Sequence, residues 1–312
     1  MSRRTLIVLV QILFTTCSWI SELQAAEVVD HPFRGITSIM RTESSPRNVS
    51  LHIIEIDLTT SGIGFKLTPP GGSLETIRQT TLEFLKQEHA QVAINGHFFL
   101  PFPSTTSDAT LVGFAASNGQ VYSAFEQPAQ SYAIVPFAPA INIDPSNHAA
   151  IVHNDSRFAD GKHLLEKVTV GNALAGSAQV ITNGVKTIPA YASGLLTPGG
   201  PRNYSSTNSW YEAIQARTAI GLSRDNRILF LFTVDRAGGS LGMKVGEVSD
   251  LLIRDYGVYN ALNLDGGGST TLAMESPVTH IGQMVNVSSD NPKGRAVGSN
   301  LAVFAVKEAA PR

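Results

Sequence analysis

A single cysteine, Cys17, occurs in the 312 residues. It lies near the N-terminus, so the chain past it holds no disulfide and no cysteine-ligated metal. Charge is also scarce: 15% of residues are charged and the formal net charge is -2, with no basic excess of the kind nucleic acid requires. No His-x-His or His-Glu-x-x-His spacing occurs, which leaves a catalytic zinc unsupported. No cofactor is called for, while calcium on scattered carboxylates stays open. Internal repeats, low-complexity tracts and a second composition regime are missing too, so one domain is the simplest reading. The one long apolar run, "TLIVLVQILF", follows Arg3 and Arg4 and is broken by Gln11, Thr15 and Thr16. It is short for a membrane span and ends in small residues at Ala25 and Ala26, the pattern of a secretory signal peptide over residues 1–26. A retained anchor is the alternative. Cleavage would leave residues 27–312 as one secreted or periplasmic domain with no stable membrane insertion. Asn48, Asn154, Asn203 and Asn286 begin Asn-x-Ser sites, which matter only in a eukaryotic secretory host.

What is present is 43% hydrophobic, with 27 glycines that favour a turn-rich fold over a helical bundle. "SLHIIEIDL" and "GFKLTP" read as two strands of a β-hairpin about a Ser-Gly turn. "SLETIRQTTLEFLKQE" puts Leu74, Ile77, Phe84 and Leu85 on one helical face, with Ser73 as N-cap. "AQVAINGHFF" is an apolar strand running into Asn-Gly, and "TLVGFAASNGQVYSAF" is a hairpin about Ser117-Asn118-Gly119. Further strands are expected at "SYAIVPF" and "QVITNGVKTI", and a helix around "GKHLLEKVTVGNAL". The Gly-, Pro-, Ser- and Asn-rich stretch "LLTPGGPRNYSSTNSWYEA" has no period and reads as an exposed lid or binding loop.

The last third carries a geometric expectation. "ARTAIGLS" and "RILFLFTVD" flank a tight turn and should pair antiparallel, which sets Arg217 opposite the residues just before Asp235. "MKVGEVSDLLIRDY" puts Val245, Val248, Leu251 and Leu252 on one helical face, with Gly257 as C-terminal cap. "VYNALNLD" is a continuous apolar run, as in a strand covered on both faces. Strand, helix and strand in succession suggest a right-handed crossover between parallel strands. Hence the expected fold is α+β: a mixed β-sheet core with flanking helices, including one βαβ crossover in the C-terminal third. Asp235, Asp265 and Arg217 would then meet at one rim of the sheet. After Asp265 come Gly266, Gly267 and Gly268, a run that frees backbone amides to cradle an anion, with Ser269 and Thr270 adding hydroxyls. A bare glycine turn is the other reading. A nucleotide P-loop is excluded, because the lysine is missing and no helix follows.

"INGHFF", "RTAIGLSRDNRILFLFTVD", "GEVSDLLIRDYGVYNALNLDGGGST" and "GRAVGSNLAVF" occur in an order that resembles the phosphodiester glycosidase family, over roughly residues 90–306. His97 stands where members often carry a small residue. The resemblance implies an exported hydrolase that breaks the sugar C1–O bond of an N-acetylglucosamine-1-phosphodiester-like substrate in an envelope or extracellular glycopolymer. It also implies site residues. Arg217 would clamp phosphate, and Asp265 would be nucleophile or base, ahead of Asp235 and Glu247. Asn263 and the glycine run would line the pocket, Asn95 and Gly96 would contact the sugar, and His97 would protonate a leaving oxygen or touch phosphate. Arg295 and Asn300 are further family-based candidates. Two other functions fit the same residues: a non-catalytic phosphoglycan-binding protein, and a phosphodiesterase cutting P–O.

Overall fold

The computed structural model describes residues 25–126, 134–189 and 210–307. Strands dominate these residues. The central sheet contains β1 (Ala26–Phe33), β2 (Ile36–Glu43), β3 (Val49–Asp57), β17 (Ile228–Val234), β16 (Arg217–Leu222), β18 (Asn260–Asn263), β14 (Ala178–Thr182) and β15 (Val185–Lys186), in that spatial order. A second sheet runs β20 (Gly282–Met284), β19 (Leu272–Glu275), β6 (Val92–Asn95), β21 (Asn300–Phe304), β4 (Gly64–Leu67). A third runs β10 (Gln120–Ser123), β9 (Ala115–Ser117), β13 (Asn172–Ala175), β11 (Ala140–Ile143), β12 (Ala149–Val152), and a small sheet joins β5 (Thr76–Ile77), β8 (Asp108–Leu111) and β7 (Phe99–Leu100). Only two α-helices occur among the described residues: α1 (Thr81–Glu88) and α2 (Val245–Tyr256).

Every strand pair among the described residues is antiparallel. The expected α+β core of a mixed sheet with flanking helices is therefore overturned. β17 and β18, on either side of α2, do run in the same direction, but they do not pair. β16 lies between them, antiparallel to both.

Alternation along the central strands explains the layering. Ile54, Ile56, Ile220, Leu222, Leu229, Leu231 and Leu262 face a core shared with Ile94, Leu272, Leu301 and Val303 of the second sheet. Leu51, Ile53, Ala219, Phe230, Phe232 and Val234 point the other way, onto Val245, Val248, Leu251 and Leu252 of α2. The central strands are apolar on both faces because a sheet covers one and a helix the other. Helix α2 ends as expected at Gly257, whose φ of 65° is left-handed.

Other expectations also need correction. The expected β3–β4 hairpin does not form, since the two strands belong to different sheets. Helix α1 starts at Thr81, not near Ser73, on a capping box of Thr80 and Glu83. Thr76 and Ile77 pair instead with β8, and Glu75 Oε2 accepts the Leu111 N–H at 2.6 Å. Leu74 and Ile77 are therefore exposed, while Phe84 and Leu85 are buried. The helix expected around residues 161–174 is absent, and Asn172–Ala175 is strand β13. The strand expected at residues 131–137 is not found over 134–137, and its first part lies outside the described residues, as do residues 1–24 and most of the long loop at 195–213.

Candidate active site

A cavity of about 620 Å³ opens at the edge where β16 begins and β18 ends. Backbone register brings its floor together. Arg217 faces Val234 across β16–β17, the Leu264 N–H bonds Thr218 O at 2.9 Å, and the Gly267 N–H bonds Ala216 O at 2.9 Å. Arg217, Asn263, Asp265, the three glycines and Arg295 all line the cavity.

Asp235 does not. Val234 shares a face with Arg217, so the next residue along the strand points to the opposite face. There the Asp235 carboxylate accepts from Asn286 Nδ2 at 3.0 Å and from the Val287 N–H at 3.1 Å, with His52 Nε2 3.6 Å away. Asn286 also bonds Thr270 O and accepts the Leu272 N–H, so Asp235 acts as an anchor under the residues that follow the glycine run. Buried and committed in this way, Asn286 is closed to glycosylation.

Glu247 is likewise remote from the cavity. It sits in the first turn of α2, where it accepts the Lys244 N–H at 2.7 Å and pairs with Arg47. Burial raises its pKa, but the bonds from Arg47 and the Lys244 N–H outweigh that and leave it below the usual carboxylate range. It is a helix-capping carboxylate.

Asp265 is the one carboxylate among the described residues that lines the cavity. Its backbone N–H bonds Gly96 O and its carbonyl accepts Asn95 Nδ2 at 2.7 Å. A little of its surface reaches the cavity, yet the site is enclosed enough that desolvation raises its pKa to about 7. Hydrogen bonds from Ser269 and the Gly266 N–H and the charge of Arg295 oppose that rise without cancelling it.

The glycine run serves this carboxylate. The N–H groups of Gly267, Ser269 and Thr270 are spent on the carbonyls of Ala216, Gly266 and Gly267, so most of the run is a closed turn, and all three glycines line the cavity. Gly267 turns the chain at a φ of 61°. A Cβ on Gly266 would meet Ala216 O at 3.0 Å, and one on Gly268 would collide with the Arg295 guanidinium. The lack of side chains thus lets three backbones and one guanidinium close around Asp265.

Arg295 bonds Asp290 through Nε at 2.9 Å and Ser269 Oγ through Nη1 at 3.2 Å, and stacks over Phe102 with 4.7 Å to the ring centroid. Arg217 is more deeply held. Its Nε donates to Met243 O at 3.0 Å and its Nη2 to the carbonyls of Trp210 and Ala213. It braces the 210–216 segment and reaches the cavity from beneath it.

The remaining candidates are supports. Asn95 accepts from Thr218 Oγ1 at 2.9 Å and the Thr271 N–H at 3.0 Å, which fixes β6, β16 and the turn to one another. Thr270 is buried beside Thr218. Gly96 packs its Cα against Ser299, where a Cβ would meet Oγ at 2.7 Å. Asn263 lines the cavity and donates to Ser177 Oγ at 2.9 Å, which also accepts from the Tyr211 hydroxyl. Asn300 is buried at the α1 end of β21, bonded by Thr81 Oγ1 and to Gln79 O, away from the cavity.

His97 is fully buried and outside the cavity lining. Nε2 lies 3.0 Å from both the Ala175 N–H and Phe114 O, and Nδ1 lies 2.8 Å from Ser299 Oγ, so both ring nitrogens are engaged by the protein. Burial lowers its pKa to about 4, so it is neutral near pH 7 and too enclosed to protonate a leaving oxygen. Sequence reasoning missed the aromatic wall facing Asp265: Phe98, Phe102, Trp210 and Tyr211, with Phe98 and Trp210 stacked 6.0 Å apart. The density of aromatics in "HFFLPF" was its available signal.

Layered antiparallel sheets that close a glycine turn around one carboxylate of raised pKa, beside a guanidinium and an aromatic wall, define a β-rich protein with a cavity that is polar and aromatic by turns. The chain belongs to the phosphodiester glycosidase family, whose model matches residues 88–304. Among curated relatives it is 32% identical over 101 residues to N-acetylglucosamine-1-phosphodiester alpha-N-acetylglucosaminidase of Mus musculus, covering 32% of this chain and 19% of that protein. To the Homo sapiens counterpart it is 38% identical over 69 residues, 22% of this chain and 13% of that one. The matches therefore span less than a fifth of the curated relatives' length. The fold resembles the zebrafish catalytic domain of the same enzyme, auto-inhibited by its pro-peptide, with a TM-score of 0.56 at 20% identity over 91% of this chain and 84% of that one. A Burkholderia pseudomallei protein gives a TM-score of 0.62 at 14% identity, over 91% and 97%. At these identities the two likenesses establish fold alone.

Proposed function

We propose that the protein is an exported hydrolase that cleaves the sugar C1–O bond of an N-acetylglucosamine-1-phosphodiester-like substrate in an envelope glycoconjugate. Family membership and the names of the mouse and human relatives support the reaction class. The observation that carries the reading is Asp265, a carboxyl with a pKa near 7 open to a cavity it shares with Arg295 and Arg217.

Ionised Asp265 attacks the anomeric carbon or takes a proton from the attacking water. The C1–O bond breaks and its electron pair leaves with the phosphate as a phosphomonoester. Such a leaving group is stable as an anion, so cationic stabilisation matters more than proton donation. Arg295 faces the leaving phosphate and Arg217 adds positive potential from below. Asn263 and Gln215 are placed to meet sugar hydroxyls on the polar side.

Steady-state hydrolysis of a synthetic N-acetylglucosamine-1-phosphodiester tests this reading. Asp265→Asn is expected to lower kcat by roughly three orders of magnitude or more, and Arg295→Ala by about one to two orders. Glu247→Gln should stay within a few-fold of wild type. Full turnover by Asp265→Asn would remove the mechanism, and saturable binding without product would move the protein to the glycan-binding class.

A further inference from the structure

The cavity has two chemically distinct sides. Asp265, Asn263, Gln215 and Arg295 make one. Phe98, Leu100, Phe102 and Val112 make the other together with Trp210, which stacks on Phe98, and Tyr211, whose hydroxyl is turned to Ser177 Oγ; among the described residues the indole N–H of Trp210 is the one further polar side-chain group on this side. The two sides meet at a contact. Arg295 touches Ser269 Oγ next to Asp265, and its guanidinium lies 4.7 Å from the centroid of Phe102. Phe102 in turn packs edge-on against Phe99 at 5.9 Å, yet leaves 47% of its surface exposed. A phosphate held at Arg295, with its sugar over Asp265, therefore directs its second ester oxygen toward Phe102 and the wall behind it.

A polyol or a second sugar on that wall would lose water from several hydroxyls and find at most a single indole N–H in return. A hydrocarbon there would be removed from water against aromatic and aliphatic carbon. We infer that the Phe98, Leu100, Phe102 and Val112 wall is the aglycone subsite, and that the alcohol esterified to the phosphate is apolar, of the long-chain aliphatic or isoprenoid kind. This rests on the hydrolysis reading above and narrows it. Water adds across the C1–O bond, the sugar leaves with a new hydroxyl, and the apolar alcohol leaves still esterified as its monophosphate.

Two substrates decide it: the decyl and the glyceryl phosphodiesters of N-acetylglucosamine, compared below the micellar concentration. The decyl ester is expected to have a kcat/KM about tenfold or more above the glyceryl ester. Phe102→Ser and Phe98→Ser should each narrow that ratio several-fold. A wild-type ratio of one or below overturns the inference and leaves hydrolysis standing. If neither ester turns over, the hydrolysis reading fails, and calorimetry with decyl phosphate and glycerol phosphate judges the subsite alone. Tenfold tighter binding of decyl phosphate, weakened in Phe102→Ser, supports it; equal affinity, or no binding of either, overturns it.

Discussion

Asp265 is an acid whose folded pKa, about 7, lies above its ordinary value of 3.8. As base or nucleophile it must be ionised, so kcat/KM should rise tenfold per pH unit below about 7 and level off above it. A pH–rate profile flat from pH 5 to pH 8 would contradict this. The same shift carries a stability consequence. The folded state binds the proton more tightly than the unfolded chain, so the contribution of Asp265 to stability falls as pH rises from about 4 to about 7. Asp265→Asn, which cannot ionise, should therefore gain stability relative to wild type over that window, by roughly 4 kcal/mol at pH 8 compared with pH 4. Chemical denaturation at the two pH values measures the difference. His97 moves in the opposite sense: its folded pKa near 4 lies below its ordinary 6.5, so the stability it allows is full above about 6.5 and is lost as pH falls toward 4.

At the scale of elements, the glycine turn and the guanidinium of Arg295 form one unit. Gly268→Ala places a methyl group where the guanidinium lies, and should reduce activity about tenfold or more while shifting the melting temperature little, because the guanidinium is the far end of a flexible, half-buried side chain that can shift. Phe232→Ala, between the central sheet and α2, should do the reverse and cost about 3–5 kcal/mol of folding free energy without touching the cavity. The β16–β17 hairpin, α2 and β18 were legible because each is specified locally, by a turn, a heptad-like face and a glycine cap. Asp235 was misplaced for a reason the period of a strand supplies. Its sequence position puts it at the right edge, but one residue past Val234 is the wrong face. The helix read from Ser73 failed where tertiary pairing prevailed: Thr76 and Ile77 joined β8, and only the part with a capping box stayed helical. The turn that ends β6 and the family resemblance suggest a proton donor or phosphate contact at His97 and a sugar contact at Asn95; both side chains are fully buried and bonded to neighbouring segments.

Across the whole molecule, every described ladder is antiparallel, and the parallel relation between β17 and β18 is kept only at a distance, through β16. Sequence near α2 could suggest that the flanking strands run alike. It could not reveal the strand between them, because β16 precedes both and long-range pairing leaves no local mark. Nor could it reveal that sheet, not helix, covers the second face, since a continuous apolar run looks the same under either. The arrangement matters for function because it gathers distant chain segments at one cavity: the Phe98–Phe102 stretch beyond β6, the start of β16, the end of β18, and Arg295 before β21. Their common product is a carboxylate poised near neutrality beside a guanidinium.

That product makes a definite claim about which bond breaks, and isotope labelling tests it most directly. Hydrolysis of an N-acetylglucosamine-1-phosphodiester by the purified protein in oxygen-18 water should place the label in the released sugar, as mass spectrometry of both products would register. Label in the released phosphate would mean attack at phosphorus, and Asp265 could not then be the group that opens the C1–O bond.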